Sequence, residues 1–276
     1  MRTKTRFFAM LSIAVCFSAG AVFAGAYDVF QGMEGTIKIS GGTAHIPVMQ
    51  ALAKEIMTRY PGIRITVAGG GSGVGIKQVG EGLVDIGNSG RKPTDEEIAA
   101  YNLKVHQWAL DGVAVVVHPQ NPVKSLSLQQ VQAIFAGTVT NWKDVGGPDK
   151  AIHVFTRDEA SGTREVFWEK ALKKGPVAAT ADVVPSNGAM KTAVATDPAA
   201  IGYMSVGHID ASVAPVTLDG VTPSVDTVRN GTYAVSRGLY SNTKGEPSPL
   251  VKAFLDTLHS PEGRAIIEAQ GFIPVP

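Results

Sequence analysis

Cysteine is nearly absent from this chain of 276 residues, which contains Cys16 and no other. A single cysteine cannot form an intrachain disulfide, and it offers no paired thiols for redox chemistry or metal binding. The six histidines do not show the spacing that is typical of metal ligands. The sequence therefore predicts a fold without disulfides, without a metal site and without thiol-based catalysis.

Long hydrophobic runs are also missing, because the apolar stretch at residues 7–15 is too short to span a membrane well. It follows three cations within the first six residues and precedes a small-residue site that ends at Ala24. This order predicts a cleaved signal peptide, residues 1–24, and secretion out of the cytoplasm. A retained N-terminal anchor is the alternative. Val15 before Cys16 fits a lipoprotein signal poorly.

A strong excess of either charge is missing as well, since the whole chain has a net charge of +1. Removing the three cations of the signal peptide changes this value to −2. Proteins that bind nucleic acid or membrane surfaces are usually strongly basic. Both kinds of partner are therefore disfavoured.

Predicted strands and helices alternate along nearly the whole mature chain. Strand patterns at residues 36–40 and 64–68 are each followed by a glycine-rich turn and a helix, and residues 113–117 (VAVVV) read as a strand buried on both faces. Such alternation predicts α/β layers with mostly parallel sheets. Stretches containing proline or glycine after His118 and at residues 237–245 are candidate crossings between two lobes.

Three segments share one design, in which a strand leads through small and hydroxyl residues into a helix: residues 40–44 (SGGTA), 69–75 (GGGSGVG) and 159–165 (EASGTRE). The first N–H groups of a helix have no partner within the helix and carry partial positive charge, so each junction can bind an anion. Gly, Ser and Thr are also ordinary turn and cap residues. The glycine pattern at residues 69–75 matches nucleotide-binding motifs only weakly.

Several polar side chains next to these segments have more than one interpretation. Arg157 can offer two N–H groups to an oxyanion, or it can pair with Asp158 or Glu159. Arg91 has the same ambiguity. Arg164 opposes the dipole of its own helix and needs a nearby anion. The histidines are interpreted as structural or surface residues.

The ordered set of motifs resembles the periplasmic phosphate-binding proteins of ABC phosphate uptake systems, within the type II solute-binding superfamily. The motifs are ISGGTAHIPVMQALAKEI, GGGSGVGIKQV, VDIGNSGR, DGVAVVVHPQNPV, IFAGTVTNWKDVGG, TRDEASGTREVF and SNGAMKTAVATDPAAIGYMS. The resemblance implies an α/β fold of two lobes, with a hinge and an interlobe ligand cleft. We assign residues 33–112 and 238–276 to lobe I and residues 113–237 to lobe II.

The resemblance also implies which residues hold the phosphate. We expect the site to consist of Gly42, Thr43, Ala44, Ser72, Arg91, Arg157, Ser161, Gly162 and Thr163. It further implies an ABC permease complex as the membrane partner, a monomeric state and no cofactor.

One departure from the family concerns the proton of the ligand. Well-studied members have an aspartate after the third strand that accepts this proton, whereas the present sequence reads NSGR over residues 88–91. An acceptor of this kind leaves fully deprotonated sulfate with an unpaired, repelled oxygen. Asp158, Glu159 and Asp85 are the remaining candidate acceptors.

The sequence thus predicts a non-enzymatic receptor for inorganic phosphate. A rival with the same fold binds sulfate, molybdate or tungstate instead. A second rival is a secreted phosphoesterase that uses Ser161 or Thr43 as nucleophile, although no nucleophile elbow or His/Asp partner set is evident. A third is a matrix or adhesion protein with a vestigial site.

Overall fold

The protein is described by a computed structural model that covers residues 25–276, so the predicted signal peptide and Cys16 lie outside the described residues. The strands are β1 (Gly35–Gly41), β2 (Ile63–Gly70), β3 (Ile86–Ser89), β4 (Leu103–Val117), β5 (Ser125–Leu126), β6 (His153–Arg157), β7 (Asp182–Val184), β8 (Ala200–Ser205), β9 (Ala214–Pro215), β10 (Thr217–Leu218), β11 (Ser236–Lys244) and β12 (Ile273–Pro274). The α-helices are α1 (Ile46–Arg59), α2 (Ser72–Gly80), α3 (Asp95–Tyr101), α4 (Leu128–Phe135), α5 (Gly162–Lys170), α6 (Asn187–Thr196), α7 (Val225–Arg229), α8 (Pro249–His259) and α9 (Pro261–Ala269).

Local sequence signals explain where many helices begin. Thr94 and Ser127 each accept a hydrogen bond from the backbone N–H three residues on, and each completes a capping box. Ser248 and Ser260 cap α8 and α9 ahead of the prolines that open these helices. Capping satisfies N–H groups that otherwise lack partners, so it fixes the helix starts.

Ten of the twelve described strands form one curled sheet, with the order β2-β1-β3-β11-β4-β8-β6-β7 and with β9 and β12 each paired to β4. Strands β5 and β10 form a separate parallel pair. The pairs at both ends of this order are parallel, as predicted. The centre is antiparallel, because β11 runs against both β3 and β4 and β4 runs against β8. The sheet is therefore mixed, and the expectation of a mostly parallel sheet holds only for its two ends.

Strand β4 joins two lobes. Its residues 103–112 pair with β11, while its residues 113–117 pair with β8. Lobe I contains β1, β2, β3 and β11 with α1, α2, α3, α8 and α9, and lobe II contains β6, β7 and β8 with α4 to α7. The strand thus changes partners between Gly112 and Val113 and not after His118.

Each lobe has its own hydrophobic core. In lobe I the buried face of α1, including Val48 and Leu52, packs with Ile37 and Ile39 of β1. In lobe II a second cluster gathers Val113, Val115 and Val117 of β4 with residues of α4 and α5. Within residues 25–276, no helix combines the length and the apolarity that crossing a membrane requires.

Candidate functional site

The three strand-to-helix loops meet around a small, partly enclosed cavity between the lobes. The space is far smaller than the roughly 300 Å³ that drug-sized ligands need, so it suits only a small ligand. The cavity is lined by Gly42, Thr43, Ala44, His45, Gly71, Ser72, Gly90, Arg157, Ser161, Gly162, Thr163 and Arg237. Eight of the nine predicted site residues thus surround one cavity, and Arg91 is the exception.

Thr43 follows β1 at the lobe I side of the cavity. Gly41 has a φ of 117°, which suits glycine, and the Gly42 N–H donates to the Asn88 carbonyl over 2.8 Å. The Thr43 hydroxyl oxygen accepts two hydrogen bonds, from the backbone N–H and from Nδ2 of Asn187, at 3.2 and 3.0 Å. These bonds occupy both lone pairs, so the hydroxyl hydrogen remains free to donate to a ligand.

Ser72 is the first residue of α2 and lies on the same side. Its hydroxyl oxygen accepts from the Gly90 N–H at 2.9 Å, which leaves the hydroxyl hydrogen free to donate. The next N–H, of Gly73, donates to the Ala160 carbonyl across the cleft at 3.0 Å. A Cβ at Gly71 would lie 2.6 Å from that carbonyl oxygen, so the close approach of the two lobes requires glycine there.

The start of α5 forms the lobe II wall. Ser161 is the N-cap, and its hydroxyl oxygen accepts from the Arg164 N–H at 3.2 Å. Gly162 and Thr163 occupy the first turn, where the N–H groups have no acceptor within the helix and the dipole favours an anion. A Cβ at Gly162 would lie 2.2 Å from the Ser72 hydroxyl oxygen, which shows how closely α5 approaches α2.

Arg157, at the end of β6, is a cationic residue that lines the cavity and has one unpaired donor group, Nη1. Its side chain is 1% exposed, and Nε and Nη2 donate to the carbonyls of Val184 and Pro185 at 2.9 and 3.0 Å. Nη1 is buried and has no hydrogen-bond partner among the described residues. Burial lowers the pKa of Arg157, and Asp158 is 3.9 Å from Nη2. Fixed in plane by two carbonyls, this guanidinium presents Nη1 to an anion.

Arg237, at the start of β11, also lines the cavity and was not predicted as a site residue. Nε and Nη2 donate to the Asp111 carboxylate at 2.9 and 2.7 Å, and Nη1 donates to the Thr163 hydroxyl at 3.0 Å. The accepted bond leaves the Thr163 hydrogen free to donate. Nothing local marks Arg237, because its partners lie far away in the sequence. Its place in a predicted crossing segment was the one available signal.

His45 forms another part of the cavity wall. Its ring is fully buried and packs edge-on against Trp108, with the ring centroids 5.5 Å apart. Burial lowers the pKa of the imidazole to about 3. His45 is therefore neutral near neutral pH and adds no charge to the site.

Arg91 lies outside the cavity, in contact with two carboxylates. Nη1 and Nη2 donate to the two oxygens of Glu97, both at 2.7 Å, and Nε is 2.7 Å from a carboxylate oxygen of Glu165. The bidentate bond to Glu97 raises the pKa of Arg91. Glu165 belongs to α5, so Arg91 forms an ion pair between the lobes.

Among residues 25–276, no carboxylate lines the cavity, and the three candidate acceptors lie elsewhere. Asp85 accepts from the Lys38 N–H at 2.7 Å, in the middle of β1. Asp158 lies beside Arg157, and Glu159 is exposed. Within residues 25–276, no group of three or more His, Cys, Asp or Glu side chains is arranged to hold a metal ion.

Comparison with known proteins places these features in a family. The sequence profile of the PBP superfamily domain matches residues 31–262. The phosphate-binding protein PstS of Bacillus subtilis (strain 168) is 38% identical over 272 residues, covering 96% of this chain and 90% of the relative. The phosphate-binding protein PstS of Pseudomonas aeruginosa is 31% identical and covers 91% of this chain and 86% of the relative.

Solved structures give the same result. A phosphate ABC transporter substrate-binding protein from Clostridium perfringens, with bound phosphate, is 36% identical with a TM-score of 0.83. The match covers 88% of this chain and all of that one. An ABC-type phosphate transport receptor from Vibrio cholerae is 35% identical with a TM-score of 0.70, over 87% of this chain and all of that one.

Proposed function

We propose that this chain, which belongs to the PBP superfamily and within it to the phosphate-binding proteins, captures inorganic phosphate outside the cytoplasm for an ABC importer. One observation carries the proposal: a small cavity between two lobes is lined by hydroxyl donors and by the free Nη1 of a buried arginine. Such donors replace the hydration shell of a tetrahedral oxyanion. The two curated relatives described above are named phosphate-binding proteins, and the solved structure from Clostridium perfringens is named as a phosphate ABC transporter substrate-binding protein.

The hydrogen-bond pattern supports an anion as the ligand. The hydroxyls of Thr43, Ser72, Ser161 and Thr163 each accept a bond from a protein N–H, so each has its own hydrogen to give. The first turn of α5 adds unpaired N–H groups and the positive end of its dipole. Donors from both lobes therefore converge on one position, and closure of the lobes on the ligand follows from this arrangement.

The absence of catalysis is also part of the proposal. A serine or threonine nucleophile needs a base that accepts its proton. Among the described residues, neither Ser161 nor Thr43 donates to a histidine or carboxylate side chain, and both accept N–H bonds instead. Retention and release of the ligand, without turnover, fit these contacts.

The remaining expectations from the sequence extend this proposal. We place the lobe boundaries between residues 112 and 113 and between residues 237 and 238, and the change of partners along β4 supports the first of them. We propose a cleaved signal peptide, a periplasmic location, a monomer without nucleic-acid partners and a permease complex that reads the closed form.

Calorimetric titration of the mature chain with phosphate tests the function. The protein is unfolded and refolded beforehand to remove bound ligand, and the titration is repeated in excess sulfate. Tight one-to-one binding that survives sulfate supports a phosphate receptor. If excess sulfate, molybdate or tungstate abolishes phosphate binding, the ligand is another oxyanion. Release of product from a chromogenic phosphate ester contradicts a purely binding role.

A further inference from the structure

Asn187 is a fully buried residue of lobe II that reaches across the cleft to Thr43 of lobe I. It is the first residue of α6, and its backbone N–H and Nδ2 both donate to the Thr43 hydroxyl oxygen. Its Oδ1 accepts from the Ser205 N–H at 3.0 Å, within lobe II. The bond to Ser205 fixes the side chain in one orientation, with Nδ2 directed at Thr43.

These contacts determine what the Thr43 hydroxyl can do. A hydroxyl oxygen has two lone pairs and one hydrogen, and Asn187 occupies both lone pairs. The hydrogen is then available only as a donor, and Thr43 lines the cavity. Because the two residues belong to different lobes, this arrangement exists only when the lobes are closed.

We propose that Asn187 is a positioning residue that couples lobe closure to ligand binding, by forcing the Thr43 hydroxyl to donate its hydrogen to the bound oxyanion. The inference rests on the proposed function, and it assigns a role in ligand binding to a residue that lies outside the cavity wall. In the open form the Thr43 hydroxyl is free to rotate and to accept bonds from water. Closure removes that freedom and converts the hydroxyl to a fixed donor.

The competing explanation is that Asn187 merely stabilises the start of α6. The N–H of the first helical residue needs an acceptor in any case, and Ser186 already caps the helix by accepting from the Ala189 N–H. A structural role of this kind acts on folding and is independent of the Thr43 hydroxyl. A role through Thr43 disappears when that hydroxyl is removed.

A double-mutant cycle with Asn187→Ala and Thr43→Val distinguishes the two explanations, with phosphate affinity and dissociation rate as readouts. We expect each single variant to bind phosphate about 10- to 100-fold more weakly, mainly through faster dissociation. The double variant should be no more than about threefold weaker than Thr43→Val alone. If the losses of affinity in the two single variants multiply in the double variant, or if Asn187→Ala keeps wild-type affinity, the inference is overturned.

Two further variants keep the test decisive. Asn242→Ala removes an equally buried asparagine that bonds only within lobe I, to Gly87 and Ser89, and its folded form should keep wild-type affinity. Asn187→Asp keeps the acceptor for Ser205 and loses the donor to Thr43, so it serves if the alanine variant does not fold. It should also bind at least tenfold more weakly, and wild-type affinity there overturns the inference. A wild-type chain that binds no phosphate rejects the proposed function itself.

Discussion

Replacing Arg157 by lysine keeps the positive charge and removes the geometry of the guanidinium. In the protein Nε and Nη2 donate to the carbonyls of Val184 and Pro185, which leaves Nη1 for the ligand. A lysine has one ammonium on a flexible stem, and it cannot bond both carbonyls and the ligand in the same fixed plane. The variant therefore loses at least one charge-assisted bond to the ligand.

A hydrogen bond to a charged group contributes about 1.5–3 kcal/mol, and about 1.4 kcal/mol corresponds to a tenfold change in affinity. We therefore expect Arg157→Lys to bind phosphate between about 10- and 150-fold more weakly in calorimetric titration. Arg91→Lys is the matched control, because Arg91 also lies near the cleft but its partners are the carboxylates of Glu97 and Glu165 and the Lys92 carbonyl. An affinity that falls as much in the control as in Arg157→Lys refutes the assignment of Nη1 to the ligand.

Three other predictions use different parts of the structure. Gly162→Ala should abolish phosphate binding while the ligand-free protein keeps its melting temperature, because the new Cβ would clash with the Ser72 hydroxyl of the other lobe only when the lobes are closed. Gly73→Ala is the control: the nearest atom to its new Cβ would be 3.6 Å away, and phosphate binding should persist. Arg91→Ala should weaken phosphate binding no more than about fivefold, since it removes a partly exposed ion pair between the lobes and no ligand contact; a loss as large as that of Arg157→Lys would contradict the geometry. The two ring nitrogens of His153 each lie 2.6 Å from a carboxylate oxygen, of Asp182 and of Asp197, and these bonds, that to Asp182 most of all, raise the pKa of His153. The stabilisation that protonated His153 gives to the folded protein should be complete below pH about 6.5, the ordinary pKa of histidine. It should disappear as the pH rises through the raised pKa of His153 in the folded protein. Melting curves of wild type and His153→Gln should thus converge at alkaline pH, and a constant difference would refute the assignment.

The first half of the fold could be read from the sequence because its signals are local. Strand β1, helix α1 and strand β2 have regular apolar periodicity and a proline-glycine stop, and α3 and α4 have capping boxes. Most of the residues that line the cavity could be predicted from the sequence for the same reason. A glycine or serine at a strand-to-helix junction determines which N–H groups and hydroxyls face the cavity.

The missed elements depend on partners that are distant in the chain. The first ten residues of β4 contain lysine, histidine and glutamine, and β11 reads as a crossing because it contains glycine, serine and asparagine. Both are strands because each provides the other with an antiparallel partner. Arg237 belongs to the same class, since Asp111 and Thr163 only approach it in the folded protein.

The position of β11 in the chain also has a consequence for biosynthesis. Its hydrogen bonds to β3 join residues 153 positions apart, and α8 and α9, which complete the core of lobe I, come later still. A chain that emerges from the ribosome with its N terminus first therefore cannot finish its first lobe until translation is nearly over. Contacts of such long range also slow folding once the chain is complete. The order of the strands thus keeps lobe I incomplete until late in synthesis, and an incompletely folded polypeptide is the kind that can be threaded through a narrow membrane channel.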